Sequence, residues 1–189
     1  MQHEFIIAIT GASGAVYSKK LFDSLIGSRA RIHFIISENG KKILKHELDL
    51  NYSYFEKKGV SIYDNSQLNS KIASGSFRHS GMVIIPASMG CIGRIASGVS
   101  EDLITRSADV ALKEGFPLIF VPRETPYNTI HLKNMLTLSQ TGAVILPASP
   151  GFYHKPKNLN DMSDFIVDRI LVHLNVKQRI LSAWEPSNC

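Results

Sequence analysis

An α/β architecture, a doubly wound and mostly parallel sheet in a single domain, is predicted by three features of this 189-residue sequence. Apolar runs of strand length alternate with segments of helical periodicity. The first run ends in a cluster of small residues, Gly11-Ala12-Ser13-Gly14, which opens a helical pattern. Small and polar residues also gather just after strands: Gly11 to Ser13, Ser37, Ser88 to Cys91, Arg123-Glu124 and Tyr153. In an open α/β sheet these positions share one edge, where the ligand crevice lies.

Phe5 to Ile9 is the first strand, and the helix after it runs to about Ile26. First-turn amides lack intrahelical partners and carry the positive end of the dipole. With glycines allowing close approach and Ser13 adding a donor, a phosphate suits that turn. A plain strand-to-helix turn needs the same small residues. Arg31 to Ile36 is the second strand, and Glu38 to Leu48 has helical spacing, with Ile43, Leu44 and Leu48 on one side. Asn51 to Ser80 reads as a connection holding a short strand or helix. Met82 to Pro86 is a buried strand followed by Ala87-Ser88-Met89-Gly90-Cys91 and a small, apolar helical segment. Asp102 to Glu114 is a helix with Asp102 in its first turn. Pro117 to Val121 is a strand ending in Pro122-Arg123-Glu124-Thr125-Pro126. His131 to Gln140 is helical, with Gly142 at the C-terminal cap position. Ala143 to Leu146 is the last strand and Asp161 to Leu174 the last helix, giving five or six strands in all.

Composition narrows the function. Hydrophobic residues make up 44% and charged residues 20%, the balance of a globular protein. The net charge of +5 suits anionic ligands, but no stretch concentrates Lys and Arg with aromatics as a nucleic-acid face does. No apolar run reaches the length of a membrane span, and Met1 to Glu4 leads into a strand without a signal-peptide pattern. Cys91 and Cys189 form neither a disulfide framework nor a zinc spacing, so a reducing, cytoplasmic setting is expected. The histidines lack ligand spacing, and no metal is expected. There is no G-x-S-x-G elbow, no Walker A loop and no complete dinucleotide fingerprint. Glu38 is the one acid placed for a second ribose, so FMN, with a single phosphate, fits better than NAD. Among charged candidates, Arg123 and Glu124 follow a strand between two prolines that restrict the loop. Lys113 ends a helix, where a cation also complements the dipole. Arg169 lies on an amphipathic helix, where a solvated residue is the ordinary reading, and for Tyr153, among Pro, Gly and His, the ordinary reading is a loop cap.

Six segments in order carry a family resemblance: Thr10-Gly11-Ala12-Ser13-Gly14-Ala15, Ala73-Ser74-Gly75-Ser76-Phe77, Pro86-Ala87-Ser88, Ala108-Asp109-Val110-Ala111-Leu112-Lys113-Glu114, Val121 to Pro126, and Pro150-Gly151-Phe152-Tyr153-His154-Lys155-Pro156. Together they resemble the UbiX-type flavin prenyltransferases. The resemblance implies a flavodoxin-like, Rossmann-like domain over 1–176, with 177–189 as a tail that covers the active site. It implies a homododecamer with sites at subunit junctions, joining a dimethylallyl group from dimethylallyl monophosphate to reduced FMN at N5, then closing a ring at C6. The prenylated FMN would pass to a UbiD-type decarboxylase, including those of ubiquinone synthesis. By position, Gly11, Ala12, Ser13, Ser37, Ser88, Met89, Gly90, Cys91 and Arg123 would line the FMN site. Tyr153 and Arg169 would bind the dimethylallyl phosphate, with Lys113 beside it. Glu124 and Ser13 would assist proton movement near N5. Glu47 and Arg106 resemble residues that reach the site across a subunit interface, and Trp184 one that helps cover it. Cys91 stands where a hydroxyl residue is common. A related flavin-dependent decarboxylase of cysteinyl or aromatic-acid substrates is the alternative; the cysteinyl enzymes carry an Ala-Asn-Thr run where this chain has Met89-Gly90-Cys91. Ionising an allylic phosphate calls for donors aimed at the leaving group, which Lys113, Arg169 and Tyr153 would supply, and no D-D-x-x-D magnesium motif is present.

Overall fold

Among the residues that the computed structural model describes, 3–28, 30–177, 180 and 181, six parallel strands form one sheet with helices on both faces. In chain order the elements are β1 (Glu4–Ile9), α1 (Ala15–Gly27), β2 (Arg31–Ile36), α2 (Glu38–Leu48), β3 (Val60–Asp64), β4 (Gly81–Ala87), α3 (Met89–Ala96), α4 (Leu103–Glu114), β5 (Leu118–Pro122), α5 (Thr129–Gln140), β6 (Val144–Ile145) and α6 (Leu159–His173). The strand order is β3-β2-β1-β4-β5-β6. Without the edge strand β3 this is the five-stranded flavodoxin-like order; with it, the order is that of the Rossmann sheet. Winding reverses between β1 and β4, which pair from Phe5 with Gly81 to Ala8 with Ile84.

Strand side chains alternate between two cores, as a sheet covered on both faces requires. Phe5, Ile7, Ile9, Phe34, Val83 and Val121 pack with Leu21, Phe22 and Leu25 of α1 and Ile166, Val167 and Ile170 of α6. Ile6, Ala8, Ile35, Ile84 and Phe120 pack with Ile92 of α3, Leu103 and Ala108 of α4 and Leu138 of α5.

Helix starts are set by capping residues, which for α5 and α6 lie three residues upstream of the expected starts. Asp102 is the N-cap of α4 and not part of its first turn; its carboxylate accepts from the Thr105 amide at 2.8 Å in a reciprocal capping box. Asn128 caps α5 in a second capping box, and the Asn158 side chain caps α6 by accepting from the Asp161 amide. The 51–80 connection contributes more than a linker. It supplies β3, a 3₁₀ turn at Lys71–Ala73, and another at Tyr52–Phe55, where the fully buried Phe55 ring stacks on Phe34 at 4.0 Å between centroids.

Candidate active site at the sheet switch point

Thr10, the first residue after β1, joins the two strands where the winding reverses. Its hydroxyl donates to the Pro86 carbonyl at 2.7 Å and accepts from the Ser88 amide at 2.8 Å. A cavity of about 400 Å3 opens beside it. Because all strands are parallel, the helix N-termini lie at the strands' carboxyl ends, and three of them border this cavity. From α2 come Ser37, Glu38 and Asn39; from α3, Ser88, Cys91 and Arg94; from α4, Asp102 and Ile104. Ser37 caps α2 by accepting from the Gly40 amide at 3.0 Å, and Ser88 caps α3 by accepting from the Cys91 amide at 3.4 Å. The Met89 and Gly90 amides of α3 have no hydrogen-bond partner among the described residues. A Cβ built on Gly90 would meet nothing within 4 Å, so this turn is open to a ligand. Free amides and converging positive dipole ends favour an anion. Cys91 is buried, and burial pushes its thiol up to about 12, so it stays protonated.

The glycine-rich turn before α1 is occupied differently. The Glu47 carboxylate, from the last turn of α2, accepts from the Gly14 amide at 2.9 Å and from the Ala15 amide at 2.8 Å. The N-terminus of α1 therefore already holds an anion from its own chain, whereas the first turn of α3 keeps its Met89 and Gly90 amides open. Burial raises the Glu47 carboxyl, but the Ser13 side chain, the Gly14 and Ala15 amides and nearby Arg123 outweigh it and hold it below its ordinary value. Within the single chain, packing of α2 against α1 puts the Glu47 carboxylate beside the Ser13 side chain. Gly14 adopts φ +113°, a left-handed conformation open to glycine, and a Cβ on Gly11 would lie 2.6 Å from the Asn39 Cβ. Arg123, at the end of β5, donates from Nε to the Ser13 carbonyl at 3.1 Å.

Of the expected residues, Gly11, Ser37, Ser88 and Cys91 line the cavity; Ala12 and Ser13 follow Gly11, Met89 and Gly90 lie between Ser88 and Cys91, Arg123 is bonded to Ser13 and Glu47 to the Gly14 turn. Glu124 follows Arg123, half-buried, with its carboxylate accepting from the Thr125 amide at 3.0 Å. Other expected site residues are not in the cavity lining. Lys113 is at the C-terminal end of the 12-residue helix α4, whose N-terminus borders the cavity, so it sits toward the opposite sheet edge. There its ammonium pairs with Glu114 at 3.0 Å. Arg106 is engaged by the Ala73 carbonyl and by Asp109 at 2.8 Å. Tyr153 is 58% exposed, its ring edge-on to His154 and Phe165, and Arg169 is exposed on α6. Trp184 lies outside the described residues, but the start of the tail is tied down: the Ile180 and Leu181 amides donate to Asp168.

Sequence reasoning missed Thr10, Asn39, Asn65, Arg94 and Asp102 as cavity residues. Asp102 carried an N-cap signal and Thr10 its place after a strand. Asn65 carried none; it holds the start of α4, its carbonyl accepting from the Leu103 amide and its side chain from the Ile104 amide.

The Flavoprotein family profile matches residues 1–171. The flavin prenyltransferase UbiX of Methanocaldococcus jannaschii is 44% identical over 181 residues, 96% of this chain and 98% of the relative. The chain belongs to the UbiX flavin prenyltransferase family. The crystal structure of AnUbiX (PadA1) in complex with FMN and dimethylallyl pyrophosphate is similar at 35% identity and TM-score 0.91, covering 98% of this chain and all of that one (100%). A dodecameric FMN-dependent UbiX-like decarboxylase from Escherichia coli O157:H7 is 33% identical with TM-score 0.91, covering 96% and 99%. Among the described residues, no helix is long and apolar enough to cross a membrane.

Proposed function

We propose that this chain is a flavin prenyltransferase that transfers a dimethylallyl group from dimethylallyl monophosphate to reduced FMN. The observation that carries the reading is the coincidence of the switch-point cavity with membership of this family. The cavity suits FMN on its own chemistry: hydroxyls at Ser37 and Ser88 and the main chain at Gly11 in its lining, with the free first-turn amides of Met89 and Gly90 between the lining residues Ser88 and Cys91 for the phosphate. Gly11, Ala12, Ser13, Ser37, Ser88, Met89, Gly90, Cys91 and Arg123 would hold the flavin. Bound in reduced form, the flavin supplies a nucleophilic N5 and a π face beside the allylic group. Glu124 and Ser13 handle protons near N5, and Glu47 keeps the Ser13 turn in place. Tyr153, Arg169 and Lys113 bind the leaving phosphate, Arg as a planar fork and Lys as a point charge.

Lys113 lies at the end of α4 away from the cavity of its own chain, which supports a site completed by neighbouring copies in a homo-oligomer. A dodecamer is the assembly named for the Escherichia coli relative. In this reading residues 1–176 are the flavoprotein domain, and 177–189, including Trp184, cover the site and exclude water from the allylic cation. The enzyme works in the cytoplasm and passes its product to a UbiD-type decarboxylase. Anaerobic incubation with reduced FMN and dimethylallyl phosphate, followed by mass spectrometry, is expected to show prenylated flavin; unchanged flavin would overturn the proposal. A decarboxylase, as the Escherichia coli relative is described, predicts instead CO2 release from an aromatic acid by the purified protein alone.

A further inference from the structure

The cavity contains a cation that neither the motifs nor the family resemblance assigned. Arg94 lies two helical rows beyond the N-cap Ser88 and one beyond Cys91, at three-residue spacing, so all three share a face of α3. Side chains on a helix lean toward its N-terminus, and Arg94 lines the cavity together with Cys91 and Ser88, the residues that flank the open amides of Met89 and Gly90. Asp102, the N-cap of α4, holds it there: Nη2 donates to Oδ2 at 3.3 Å. That contact is the one hydrogen bond of this guanidinium among the described residues, and an arginine has five N–H donors.

The pair does little for folding. Its side chains are 44% and 24% exposed, where an ion pair contributes little to stability. Its electrostatic effect on a ligand is larger. Two carboxylates border the cavity, Glu38 and Asp102. Lys41 meets the charge of Glu38 and Arg94 that of Asp102. Without Arg94 a phosphate at the α3 turn would lose a charge-assisted donor and face an uncompensated carboxylate.

We infer that Arg94, positioned by Asp102, is the side chain that reads the flavin's phosphate and makes this cavity select FMN over riboflavin. The inference rests on the reading of the cavity as a flavin site. Charge-assisted hydrogen bonds have energies that correspond to roughly a tenfold to hundredfold change in affinity. Riboflavin lacks the phosphate and should be indifferent.

The test is titration of the full-length wild type, R94Q, R94K and R94Q/D102N with FMN and with riboflavin, followed by flavin fluorescence, alongside thermal melts. R94Q is expected to weaken FMN roughly tenfold or more, with riboflavin affinity held within about twofold and the melting midpoint within about 4 °C. R94K, which keeps the charge and loses the fork, should fall between wild type and R94Q. R94Q/D102N should recover part of the lost FMN affinity, since asparagine still caps α4 while the repelling charge is gone. FMN affinity unchanged in R94Q, or equal losses for FMN and riboflavin, overturns the inference. The wild-type prenylation assay judges the enzyme activity separately. A wild type that binds FMN through Arg94 but makes no product overturns only the activity, and one that binds no FMN overturns both.

Discussion

Replacing Glu47 by alanine tests whether α1 begins on a carboxylate supplied by α2. The substitution leaves the Gly14 and Ala15 amides without their acceptor. Hydrogen bonds to a charged group contribute about 1.5–3 kcal/mol each. Ala15 is buried and keeps that range, whereas half-buried Gly14 lets water replace part of the loss. The net cost is about 2–4 kcal/mol, or a fall of roughly 5–15 °C in melting midpoint for a chain of this size. Glu47→Gln keeps an acceptor without the charge and should lose about half as much. The pH dependence has a definite sign. The folded carboxyl is held below its ordinary value, so its stabilisation is complete above the ordinary carboxylate range and disappears as pH falls through the lowered one. The gap between wild type and Glu47→Gln should be widest at about pH 7 and close toward about pH 3. Melts by circular dichroism across that range decide it. A Glu47→Ala protein melting with the wild type at about pH 7, or a gap that ignores pH, would refute the capping role.

Gly14→Ala forces a side chain into the left-handed region, with the Tyr17 ring 3.0 Å from the new Cβ, and should cost at least about 1–2 kcal/mol by chemical denaturation. Phe55→Ala removes a ring stacked on Phe34 and edge-on to Phe22 at 4.8 Å, so the same measurement should register a loss of about 3–5 kcal/mol. A small effect there would mean the 52–55 turn is not part of the core. Glu124→Gln should lower prenylation turnover by roughly 10²–10⁴ if its carboxyl moves a proton. Arg169→Ala should lower turnover as well, both variants keeping a wild-type far-ultraviolet spectrum; full turnover in both would refute these assignments.

The strands were legible because each is a local apolar run: Phe5–Ile9, Arg31–Ile36 and Leu118–Pro122 are bounded within a residue or two by the polar or glycine residues that follow. Helix starts were less so, because Asn128 and Asn158 are ordinary polar residues until a backbone amide three positions on turns toward them. The 51–80 connection was the weakest reading. β3 is an edge strand whose residues are only partly buried, so its pattern is diluted, and Phe55 belongs to a turn too short for periodicity.

For the site, the local pattern carried the glycine turn at Gly11 to Gly14, the serine caps Ser37 and Ser88, and the Arg123-Glu124 pair, because each follows its own strand directly. The tertiary structure alone decided which turn is free to take an anion. Glu47 is 33 residues from Gly14, and only the packing of α2 on α1 fills the first turn with its carboxylate, leaving the α3 turn open. Strand order likewise sets Ser37, Asn65, Ser88 and Asp102 around one cavity. Those neighbours belong to different βα units, and pairing across the sheet, which no short-range periodicity encodes, is what makes them one surface.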